Sequence, residues 1–148
     1  MVIEDPATGK LALSANGAKA NADGSVSVAG SIYVQIGNDV VEYKVCEVGS
    51  DFDNGLSNST TVVNIPNTVH KIDSNCFWNF NKIDTINYDG TVEEWNQITI
   101  EAGAFHKNVY NNGNVYVVIG NKKYLLNKTD GSINANAPID VNATPGAK

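Results

Sequence analysis

The sequence predicts a mainly β protein whose middle is a short solenoid of about three repeats, flanked by β-hairpins and preceded by an N-terminal arm. Turn dipeptides punctuate the chain: Asn-Gly at Asn16, Asn54 and Asn112, and Asp-Gly at Asp23, Asp89 and Asp130. These pairs accept positive φ and favour tight turns between strands. Helical periodicity is nearly absent, and one apolar pattern recurs about two dozen residues apart. The 148 residues, 42% of them apolar, suit one compact domain with a little chain left over.

Taken in order, residues 1–30 are rich in Ala, Gly, Asn and Ser. The weak alternations Leu11-Ala-Leu13 and Val26-Ser-Val28 can bury little, so this segment reads as a docking arm. Residues 31–48 hold the clearest hairpin. Ile32-Tyr-Val-Gln-Ile36 is followed by Gly37-Asn-Asp39 and then Val40 to Val45, with β-branched and aromatic residues on both sides of the turn. A second hairpin repeats the pattern, with Val115 to Ile119, Gly120-Asn121 and Lys122 to Leu126. Residues 31–128 are accordingly read as one hairpin-capped domain. Residues 129–148, polar and with two prolines, read as a C-terminal tail.

Between the hairpins lies the repeat. Val63-Asn-Ile65-Pro66-Asn-Thr-Val69 matches Ile86-Asn-Tyr88-Asp89-Gly-Thr-Val92, a shift of 23 positions. Val45-Cys-Glu-Val48 matches Val69-His-Lys-Ile72, and Ile72 to Phe77 matches Ile100 to Phe105 less cleanly. A period in the twenties is the signature of a leucine-rich-repeat class solenoid. Each unit would hide its apolar side only by stacking on the next. Val63 with Ile86 and Ile65 with Tyr88 would form ladders, Phe77 and Phe105 would fill the return side, and the hairpins would cover the open ends.

On these residues the chain resembles the BspA-type leucine-rich-repeat proteins of bacterial surfaces. The family's repeat, roughly aliphatic-x-aliphatic-Pro-x-Ser/Thr-Val-x-x-Ile-Gly/Asp-x-x-Ala/Cys-Phe, is matched by Val63 to Val69, Ile72, Asp73, Cys76 and Phe77. Tyr88-Asp-Gly-Thr-Val-Glu-Glu-Trp95-Asn-Gln-Ile98 is similar to its closing motif, and Tyr43-Lys-Val45 leading to Val48-Gly49 to its opening. The resemblance covers about residues 43–106. It implies a non-enzymatic protein that binds host proteins, cells or glycans, with no fixed functional residue to carry over. The chain is shorter than the family's long arrays. Small domains of this sort are also displayed on the heads and fibres of bacteriophages, so the resemblance implies first a virion surface component, a capsid decoration or head-fibre protein. The alternative is a secreted or cell-surface adhesion module. The expected partners are other structural proteins or copies of the chain itself in an assembly.

Charge and motif content narrow the chemistry. The net charge is −6 and every basic residue is lysine. Without arginine or a basic stripe, no nucleic-acid partner is expected. No apolar run reaches the length of a membrane span, so no membrane insertion is expected. Met1 to Lys10 lack the basic and apolar regions of a secretory signal. His70 and His106 sit in no metal-binding pattern, and no nucleophile elbow, Walker A or dinucleotide fingerprint occurs. No catalytic residue, cofactor or metal is therefore expected. Asp51-Phe-Asp53 lacks the ligand spacing of a calcium loop. Cys46 and Cys76 allow one disulfide but read as two buried thiols. Tyr88 and Trp95 read as closing the end of the core. The candidate binding residues are Trp78, with His70 and Lys71 on the return turn and Tyr110 as a further aromatic.

Overall fold

The computed structural model describes residues 2–5, 11–15, 20–50, 52, 60–74, 76–77, 82–105 and 113–142, with side chains omitted at 4 and 11–15. In chain order the elements are β1 (Val2–Glu4), β2 (Leu11–Ala15), β3 (Val26–Ser27), β4 (Ser31–Ile36), β5 (Asp39–Val48), β6 (Val62–Pro66), β7 (Lys71–Ile72), β8 (Thr85–Asp89), α1 (Val92–Gln97), β9 (Thr99–Ile100), β10 (Tyr116–Ile119), β11 (Lys122–Leu125) and β12 (Ile139–Asp140). They form two six-stranded sheets. The first runs β1-β2-β5-β7-β9, with β4 paired to β5 off this path. The second runs β12-β11-β10-β8-β6-β3.

Both sheets mix strand directions. In the first, β1 is antiparallel to β2 and β4 to β5, whereas β2–β5, β5–β7 and β7–β9 are parallel. In the second, β3, β6, β8 and β10 run parallel, and β11 and β12 close the sheet with antiparallel pairs. The mainly β class expected from the sequence is found. The leucine-rich-repeat-like solenoid of about three repeats is not, and two mixed sheets take its place. The recurrence at 23 positions becomes one parallel pair inside the second sheet, with Val63 opposite Ile86 and Ile65 opposite Tyr88.

The physical reason lies in the segments taken as return path and flanks. Val48, Ile72 and Ile100 are β-branched and pair with one another in register, so the supposed return side is itself a sheet. The expected arm supplies β1 and β2 to the first sheet and β3 to the second. The second hairpin continues the second sheet through β10 and β8 instead of covering its end. The expected tail supplies β12, antiparallel to β11.

One hydrophobic cluster draws on the inner faces of both sheets: Val45, Val48 and Ile72 from the first, Val63, Ile65, Ile86, Tyr88 and Val117 from the second. Strict alternation in β6 and β8 turns one side inward and leaves Asn64 and Asn87 on the outside, where Asn87 Nδ2 donates to Asn64 Oδ1 at 2.9 Å. Phe77 stacks on Phe105 at 5.5 Å and meets Phe52 edge-on at 6.1 Å. Trp95 on α1 is fully buried against Tyr88. Its indole N–H donates to the Gly131 carbonyl at 2.8 Å, and Asn96 exchanges two hydrogen bonds with the backbone of Ile133. The short helix starts in a capping box, with Thr91 Oγ1 accepting from the Glu94 amide and the Glu94 carboxylate from the Thr91 amide.

Candidate functional site

The feature that the core does not explain is the β4–β5 ribbon. Its two strands meet through the loop Gly37-Asn38, and Gly37 takes a φ of 63°, as primed two-residue turns require. β5 is one ten-residue strand with two environments. Val45 to Val48 are buried and pair with β2 and β7, whereas Asp39 to Lys44 pair only with β4 among the described residues. The first half of β5 and all of β4 therefore project from the body as a two-stranded ribbon.

Register sorts the ribbon's side chains into two faces. Residues directly opposite in an antiparallel pair point the same way. One face carries Ile32 with Tyr43, Val34 with Val41 and Ile36 with Asp39. The other carries Ser31 with Lys44, Tyr33 with Glu42 and Gln35 with Val40. The second face is mostly polar and tied together. Lys44 Nζ lies 2.6 Å from Glu42 Oε1, Ser31 Oγ donates to the same oxygen at 2.7 Å, and Lys44 donates to Ser31. The lysine contact, then the serine one, hold the Glu42 carboxyl below its usual range, and Glu42 in turn raises Lys44. Both charges on this face are thus mutually satisfied.

The first face is apolar from root to tip, except for Asp39; its β4 row is exposed, and Val41 and Tyr43 beside it are half-buried. Ile32 is 45% exposed, Val34 39% and Ile36 54%. A lone two-stranded hairpin is marginal in water, and a contiguous uncovered apolar face marks an interaction surface. The chemistry on offer is burial of aliphatic and aromatic area plus one carboxylate at the tip. This is the arrangement of a docking element.

A second outward apolar area lies on the second sheet. Tyr124 points inward, so its neighbours Lys123 and Leu125 point out. Tyr116 lies opposite Leu125, and Val118 opposite Lys123, which also faces Ile139. Leu125 and Ile139 are exposed, Tyr116 and Val118 half-buried. The Lys123 ammonium sits 4.7 Å above the Tyr116 ring.

The residues singled out from the sequence lie elsewhere. His70 and Lys71 are adjacent at β7, in the first sheet. His70 Nδ1 is 2.8 Å from Oδ1 of the buried Asp5. Lys71 Nζ lies 3.3 Å from both Asp73 and Glu101, whose hydrogen bonds raise it, Glu101 foremost. Both side chains are engaged within the molecule. Trp78, Tyr110, His106, Asp51 and Asp53 lie outside the described residues. Cys46 and Cys76 are buried, with no disulfide between them. Burial, then the charges of Asp5 and Glu47, push the Cys46 thiol up to about 11. Among the described residues, no group of three or more His, Cys, Asp or Glu side chains is placed to hold a metal ion, and no helix is long and apolar enough to cross a membrane.

Reading the sequence missed the ribbon as a site because alternation looks the same whether a face is covered or bare. One signal was present. Val40-Val-Glu-Tyr-Lys alternates loosely, then Val45-Cys-Glu-Val48 turns nearly continuously apolar. That switch marks where a strand passes from a ribbon with one greasy face to a sheet buried on both. No family model, curated protein or solved structure matches the chain.

Proposed function

We propose that the chain is a non-enzymatic structural and binding protein that attaches to a protein partner through the apolar face of its β4–β5 ribbon. The observation that carries this reading is the row Ile32, Val34 and Ile36, exposed on a face that also holds Val41 and Tyr43. The ribbon is held by β5 itself, whose far half is anchored in the first sheet, so a load on the arm passes directly into the core.

Within this reading the proposed setting is the surface of a bacteriophage particle, as a capsid decoration or head-fibre component. The resemblance of residues 43–106 to surface-displayed proteins supports a surface role, and a protruding docking element suits a subunit fixed to an assembly. Mass spectrometry and cryo-EM of purified virions test it: the chain is expected in stoichiometric amounts with the ribbon against a structural protein, and its absence from particles ends the virion reading. The second reading, a bacterial adhesion module, rests on the same resemblance. It predicts binding to host protein or glycan that survives substitution of the ribbon.

A further inference from the structure

We infer that one partner of the ribbon is a second copy of this chain, which receives it on the outward patch of Tyr116, Val118, Leu125 and Ile139. This inference rests on the docking reading above and names the occupant. Its first support is charge. Asp39 is the single charged group on the ribbon's apolar face, and Lys123, opposite both Val118 and Ile139, is the one charged group set among the patch's four apolar residues. Neither enters an ion pair among the described residues, whereas Glu42 and Lys44 on the ribbon's other face neutralise each other. Ribbon on patch brings one carboxylate to one ammonium. Ribbon on ribbon offers the Asp39 carboxylate no cation, and patch on patch offers the Lys123 ammonium no anion, in a contact being stripped of water.

The second support is shape and size. Both surfaces are outward sheet faces, each two or three strands wide and rich in β-branched and aromatic side chains, so they stack as aligned sheets do. The projecting ribbon is about 20 Å long at ~3.3 Å per residue. A contact of that size falls well below the ~800 Å² per partner of a standard interface. One contact alone is therefore weak, and reciprocal exchange of two arms, or avidity in an array, gives it useful strength. Because the two surfaces differ, the contact is heterologous, and it closes only if the copies exchange arms.

Sedimentation velocity of the full chain over a wide concentration range tests this with two variants, Val34→Glu in the ribbon and Leu125→Glu in the patch. Both positions are exposed, so thermal unfolding of each variant is expected to match the parent. The parent is expected to self-associate as concentration rises, and each variant alone to stay monomeric. Mixed in equal amounts, the variants keep one of the two reciprocal contacts and are expected to form a species of twice the monomer mass only at the top of the concentration range, more weakly than the parent. The Leu125→Glu chain still carries an intact ribbon, and the Val34→Glu chain an intact patch. Asp39→Lys is expected to weaken association at least tenfold, and Lys123→Asp added to it to restore most of the loss. Dimers of Leu125→Glu alone, or no species from the mixture, overturn the inference. A parent that stays monomeric while ribbon variants lose attachment to particles removes the self-partner and leaves the docking reading intact. Ribbon variants that attach like the parent remove the docking reading itself.

Discussion

At the scale of single residues, two glycines with positive φ separate backbone strain from crowding. Gly131 has a φ of 76°, and a methyl there would lie 2.4 Å from Ile100 Cδ1 and 2.9 Å from its Cγ2. Gly37 has a φ of 63° and nothing within 4 Å of the corresponding point. Gly37→Ala is expected to cost about 1 kcal/mol from conformation alone. Gly131→Ala is expected to cost about 2–4 kcal/mol, since overpacking adds to strain. Urea midpoints for the two variants check the difference. Cys46 gives a test in pH. Its thiol is raised from the ordinary 9.0 to about 11, so the unfolded chain gives up this proton first as pH rises. The contribution of Cys46 to stability is then complete below about pH 9 and is drained as pH climbs toward 11. Tyr88, pushed by burial to about 12, adds a second loss above pH 10. Cys46→Ala is expected to flatten the lower of these two falls in an alkaline melting series. At pH 8 only about one Cys46 in a thousand is thiolate, so alkylation of the native protein is expected to lag far behind that of the unfolded chain.

At the scale of elements, the ribbon and the body should respond differently to the same chemistry. Replacing Ile32, Val34 and Ile36 together by Ser removes apolar area that water already reaches. The melting curve is expected to shift by less than about 1 kcal/mol while partner binding disappears. Ile65→Ser, on a residue 1% exposed, is expected to cost about 3 kcal/mol or more. Thermal melts beside a pull-down on particles check both. Both hairpins were legible from their Gly-Asn loops, because a primed turn demands a residue that tolerates positive φ. The pairing of Val63 with Ile86 was legible from spacing alone. What spacing does not encode is which neighbour lies on a strand's other edge. Two-residue strands such as β7 and β9 carry too little alternation to announce themselves, and so the first sheet reads as a return path in the sequence. The candidate site failed for a related reason. His70 and Lys71 look available in a sequence, and only the fold brings Asp5, Asp73 and Glu101 to meet them.

At the scale of the whole molecule, the segment that reads as a polar tail is part of the body. Ile133 is 5% exposed within the core, Gly131 accepts from Trp95, and the Ile133 backbone satisfies both ends of the Asn96 amide. A chain ending at Lys128 leaves these groups facing a void or water. It is expected to lose at least about 4 kcal/mol, combining a buried aliphatic side chain with orphaned hydrogen-bonding groups. Amide dispersion in a proton–nitrogen NMR spectrum, set beside the full chain, checks this. The parallel pairing has a kinetic corollary as well. Ser27 bonds to Asn64 across 37 positions of chain, so β3, apart from the local bridge of Val26 to Ala20, has no strand partner among the described residues until β6 has been made. Closing such long loops before any ladder forms makes refolding slow, on the millisecond-to-second scale, whereas the ribbon's own turn closes in about microseconds. On the ribosome the greasy arm is therefore finished long before the body that carries it, and lower temperature or chaperone supply during synthesis should raise the yield of native chain.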